Sequence, residues 1–77
     1  MHKKITDVII HTRDELTGYQ FDEVSRNVYL NDGIVSFSRN TKTPQCLMVV
    51  YNAGRTKATS ILDTVRSLGI NASLVGI

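Results

Sequence analysis

Of the residues whose types ligate metal ions, four could gather at one end of the fold: His11, Asp14, Glu15 and, further along, Cys46. Imidazole and thiolate are nitrogen and sulfur donors suited to zinc or copper, and carboxylates add oxygen and charge. One His and one Cys make half of a zinc sphere, which wants about four ligands. The competing reading makes His11 a surface residue at a strand end and Cys46 a small, half-buried apolar side chain. His2, close to the terminus, adds less. Cys46 is the only cysteine, so no internal disulfide and no paired-cysteine cluster are available. A free thiol fits a reducing, cytoplasmic compartment.

Catalytic chemistry finds no frame. Ser36, Ser38 and Ser60 lack His and Asp partners at usable positions, and His11 would have to serve any triad. The adjacent acids Asp14/Glu15 and Asp22/Glu23 more simply complement helix N-termini. Asn52-Ala53-Gly54, followed by Arg55 and Lys57, hints at an anion-binding turn, but with a lone Gly an ordinary turn is the better reading. The expectation is a chain that is not an enzyme.

The elements that position these residues follow from periodicity. Lys3 to His11 reads as a strand whose Val8 and Ile10 oppose Ile5 and Ile9 across its two faces. Thr12 to Gly18 is a polar loop. Thr17 and Gln20 match a capping box that opens a helix presenting Phe21, Val24 and Val28, and Asn31-Asp32-Gly33 ends it. Thr12 with Glu15 offers an alternative start. Ile34 to Arg39 alternates as a second strand, with Val35 and Phe37 on one side and Ser36 and Ser38 on the other. Asn40 to Gln45 is a loop holding the single Pro. Cys46 to Tyr51 is a third strand, apolar on both faces and hence central. The clearest helix has Ala58, Ile61, Leu62, Val65 and Leu68 along one stripe, Thr56 as N-cap, Arg66 in the last turn and Gly69 as an αL stop. Ile70 to about Ile77 closes the chain as a strand.

The order β-α-β-β-α-β with short loops predicts an α+β, ferredoxin-like sandwich: a four-stranded antiparallel sheet, order 4-1-3-2, with both helices on one face. At 77 residues it fills a single domain, 1–77. With 42% hydrophobic and 21% charged residues, the chain is globular rather than disordered. The formal charge of +2 is scattered, which disfavours a nucleic-acid partner. RNA-binding modules of this topology stack bases on third-strand aromatics, whereas Cys46-Leu47-Met48-Val49-Val50 is aliphatic. No apolar run approaches the ~20 residues of a bilayer span. The MHKK start precedes only Val8-Ile9-Ile10, shorter than the ~7–15 residues of a signal-peptide core. A soluble cytoplasmic module without membrane insertion is the expectation.

The stretch Tyr51 to Val75 resembles the second half of a heavy-metal-associated domain, the module of soluble copper chaperones and metal-pumping ATPases. It carries Tyr51, Thr56, Ile61, Leu62, Val65, Leu68-Gly69-Ile70 and Ala72 in that pattern. Gly33 to Asn40 is similar to the family's Gly-Val-x-Ser-Val-x-Val-Asn strand. The resemblance covers about residues 5–76 and implies the same fold. That family binds soft metal through Cys-x-x-Cys, and counting back from Gly33 places Thr17 and Gln20 at the two thiol positions. The resemblance therefore implies a module degenerate at the metal site, with no resident cofactor, acting in protein interaction or regulation. A copper or zinc carrier or sensor using His11, Cys46 and the loop carboxylates is the alternative. A small-molecule-sensing domain is a second one.

The open side of such a sheet offers an interaction face. If Leu47, Val49 and Tyr51 point to the helices, then Ile5, Ile9, Cys46, Met48, Val50 and Val75, with Ile77, form an aliphatic patch on the other side. Its occupant would be a partner protein or a second copy. A one-residue register error would reverse the two faces.

Overall fold

The computed structural model describes residues 4–75; His2 and Ile77 lie outside them. The elements run β1 (Ile5–Thr12), α1 (Gly18–Val28), β2 (Ile34–Arg39), β3 (Cys46–Asn52), α2 (Ala58–Ser67) and β4 (Ala72–Val75). The four strands form one antiparallel sheet in the order β2-β3-β1-β4. This is the ferredoxin-like arrangement that the element order predicts. Both central strands alternate cleanly. Val8, Ile10 and Thr12 of β1 and Leu47, Val49 and Tyr51 of β3 are buried, and the residues between them are not.

The buried strand residues meet Val24 and Val28 of α1 and Ile61, Leu62 and Val65 of α2 in one core. Both helices thus cover a single sheet face. Burying side chains of this size stabilises by about 1.5–3 kcal/mol each, which is what holds short helices in place. Leu16 also belongs to the core, although it lies in the polar loop before α1. Arg39 fixes that loop: its guanidinium donates to the Leu16 carbonyl at 2.8 Å and lies 4.5 Å over the Phe21 ring. Phe21 in turn stacks on Phe37 at 5.2 Å.

Three local expectations are corrected. Val35 does not share a side with Phe37. A bulge between Ile34 and Ser36 adds one residue to β2, turns Ile34 toward the core and leaves Val35 55% exposed. Thr56 does not cap α2. The Asn52 carbonyl accepts from the N–H groups of both Arg55 and Thr56, which commits Thr56 to the turn, and Lys57 becomes the N-cap without a side-chain hydrogen bond. The last strand begins at Ala72 rather than Ile70, because Gly69 takes a φ of +83° and Ile70 then packs partly against the core.

Candidate functional site

At the start of α1 the capping box closes as its residue types dictate. The Gln20 N–H donates to Thr17 Oγ1 at 3.1 Å, and the Thr17 N–H donates to Gln20 Oε1 at 2.9 Å. A hydroxyl and an amide, both engaged with backbone, do not suit a soft ion such as Cu(I), which selects thiolate. The start of α1 therefore does not fit the metal that the resemblance implies.

Beside it, Asp14, Glu15, Leu16 and Gln20 face Gly69, Ile70 and Asn71 across an open cleft of about 140 Å³. Small-molecule sites usually enclose roughly 300–1,000 Å³. The cleft gives the ligand-sensing alternative little support. Among the described residues, no three His, Cys, Asp or Glu side chains come together as a metal-binding group. Asp14 and Glu15 thus do not join His11 and Cys46.

His11 and Cys46 themselves are register partners across β1 and β3. Their pairing type follows from the bonds around it. In the same register, the Thr12 N–H donates to the Gln45 carbonyl at 2.8 Å and the Ala53 N–H to the Lys4 carbonyl at 2.7 Å. Even-numbered β1 residues therefore exchange hydrogen bonds with β3, and Ile5, Asp7, Ile9 and His11 occupy non-hydrogen-bonded pairs. Those pairs bring Cα atoms to about 4.5 Å and side chains closest together. Both residues are half-buried and point away from the helices.

The rest of that face is laid out by the same ladders. Ser38, Met48, Ile9 and Val75 are successive partners across all four strands. One row to one side lie Cys46, His11 and Ser73; one row to the other lie Ser36, Val50 and Asp7. Ile5 follows, opposite Asn52. Met48 is 40% exposed and Val75 46%. Ile5, Ile9, Cys46, Met48, Val50 and Val75 thus share the uncovered face. Asp7 was not expected there and interrupts the patch between Ile5 and Ile9. Its place was readable from its odd position in the strand, the same parity as its two isoleucine neighbours.

No family model and no curated protein sequence matches the chain. Solved structures do match by fold. Oxidized MerP from Ralstonia metallidurans CH34 superposes with a TM-score of 0.79 at 11% identity, over 92% of this chain and 97% of that one. The CopZ metallochaperone gives 0.79 at 16% identity, over 88% of this chain and 100% of that one. The N-terminal domain of a potential copper-translocating P-type ATPase from Bacillus subtilis, in its Cu(I)-loaded state, gives 0.80 at 13% identity, over 91% and 86% of the respective chains. No helix among the described residues is long and apolar enough to cross a membrane. The chain has the ferredoxin-like fold of the heavy-metal-associated, copper-chaperone-like domains.

Proposed function

We propose that this chain is a small, non-catalytic module of the heavy-metal-associated type, degenerate at the loop metal site, that acts by docking the open face of its sheet onto a partner protein. The single observation carrying this reading is the aliphatic row Met48–Ile9–Val75 across three adjacent strands, on the face that neither helix covers. Apolar surface gathered in this way marks contact sites. Asp7 sets the chemistry of the partner. An ionised carboxylate buried without a counter-charge costs several kcal/mol, so the partner surface brings a Lys or Arg to that point and aliphatic groups around it. A cytoplasmic setting suits the free thiol of Cys46. A photo-crosslinking residue at Met48, expressed in cells, tests the reading against one at exposed Asp63 on α2. Adducts specific to Met48 and lost in Ile9→Lys are expected; equal labelling from both positions overturns it.

A second reading is favoured by the close His11–Cys46 pair: metal-ion binding at the sheet face rather than at the loop. The fold neighbours include a Cu(I)-loaded domain and a metallochaperone, and imidazole and thiolate are donors of the right kind for zinc or copper. Titration with Zn(II) tests it. Binding at micromolar concentration, lost in His11→Ala and in Cys46→Ser, supports it, and binding unaffected by both substitutions overturns it.

A further inference from the structure

His11 and Cys46 are two half-buried donors held side by side on the open face of the sheet, and among the described residues no third His, Cys, Asp or Glu joins them. Zinc closes a tetrahedron of four nitrogen and sulfur ligands. Two-fold symmetry, the commonest in protein assemblies, doubles whatever a surface presents. We infer that two copies of the chain meet at this end of the open face around one Zn(II)-class ion, held by His11 and Cys46 from each copy. The inference rests on the metal-binding reading of the pair.

The geometry allows it. Sheets packed face to face lie about 10 Å apart, so the midplane is about 5 Å from each backbone. A cysteine side chain extended by a Zn–S bond of about 2.3 Å spans that distance, as does an imidazole with its shorter bond to the metal. The charges balance as well. Each Cys46 thiol releases its proton to water as its sulfur binds, and the two thiolates neutralise the dication.

The remainder of the face explains why the ion is needed. Asp7 lies four residues from His11 along β1, about 13 Å away, in the middle of the patch. Among the described residues the outward rows of the ladder hold no Lys or Arg, so covering Asp7 with a second copy buries a carboxylate without a counter-charge from those rows, and overlap is confined to the rows near the metal. An overlap confined to those rows is smaller than the face as a whole, so the metal bonds rather than apolar area hold the copies together. The copies therefore stay apart until the ion joins them.

The test uses the full chain with Zn(II), and Co(II) as a spectroscopic probe. Light scattering is expected to show the mass doubling on Zn(II) addition, with an endpoint of one ion per two chains. Co(II) is expected to give the strong visible bands and sulfur charge-transfer of a tetrahedral thiolate site. Both signals vanish in His11→Ala and Cys46→Ser while the thermal melt of the apo chain is kept, and both persist in Asp14→Asn/Glu15→Gln. A monomeric complex of one ion per chain overturns the shared site and leaves the pair as a ligand. No binding at the pair overturns both, and a dimer of the same size without metal overturns the metal dependence.

Discussion

Thr17 and Gln20 each satisfy the other's backbone N–H, at 3.1 and 2.9 Å, across the first turn of α1. A spacing of three at a helix start serves two purposes. It lets two thiolates grip one soft ion, and it lets a hydroxyl and an amide close a capping box. The Thr17→Cys/Gln20→Cys double variant exchanges one use for the other. It should lose about 0.5–2 kcal/mol of stability without metal, from the lost cap. It should gain Cu(I) binding, read by competition against a chromophoric chelator. A folded double variant that binds Cu(I) no better than the parent removes the correspondence between these positions and the family's thiols.

The start of α2 is the weaker helix end. Lys57 has the extended N-cap backbone, φ −121° and ψ 151°, but offers no acceptor, and the first turn carries no acid. Its positive charge also opposes the helix dipole. Lys57→Asp corrects both faults and should stabilise by about 1 kcal/mol. For a domain of this size that raises Tm by about 4–8 °C. An unchanged or lower melt would show that the turn, not the cap, limits this end.

Gly33 and Gly69 both take positive φ, +93° and +83°, yet they should differ in tolerance. A Cβ at Gly33 would lie 2.8 Å from the Arg55 Cβ, whereas at Gly69 nothing stands within 4 Å. Gly69→Ala should cost only the backbone strain, about 1–2 kcal/mol. Gly33→Ala should cost more, and adding Arg55→Gly should recover the difference. The exposed Arg55–Asp32 ion pair lost in that double variant contributes little. Equal urea midpoints for the two alanine variants would contradict the steric argument.

The alternation of Val8, Ile10, Leu47 and Val49 against Ile9, Met48 and Val50 was legible because a strand shows its two faces every second residue. The β-α-β-β-α-β order with right-handed crossovers set β1 beside β3, antiparallel, with His11 near Cys46. The bulge at Val35 was not legible, since one inserted residue changes parity without changing residue type. Leu16 was hidden for a related reason: a lone apolar residue in a polar loop has no period to announce it. Arg39 carries no local signal either, because its partners Leu16 and Phe21 are 23 and 18 positions away. The candidate site divides the same way. Its strand positions could be read from pattern, but the closeness of His11 to Cys46 depends on which ladder pairs exchange hydrogen bonds, and that needs the backbone.

The free edge of the sheet is guarded by a contact equally invisible in sequence. In β2, Phe37 occupies a non-hydrogen-bonded pair with Val49, because the Asn40 N–H, three residues on in the same register, donates to the Cys46 carbonyl. The Phe37 N–H therefore points outward from an edge strand, where an unpaired donor invites association with another strand. Tyr29, the C-cap of α1, places its hydroxyl oxygen 3.0 Å from that N–H and accepts from it. Tyr29→Phe keeps the ring and removes the acceptor. Water partly replaces it at this half-exposed position, so the expected cost is about 0.5–1 kcal/mol, the low end for a hydrogen bond. The Phe37 amide should also exchange with deuterium faster than in the parent, which NMR reads directly. Tyr19→Phe is the control: Tyr19 is 74% exposed, and its change should leave stability within about 0.5 kcal/mol and the Phe37 amide unaltered. Equal exchange at Phe37 in Tyr29→Phe and the parent would show that the hydroxyl does not protect the edge.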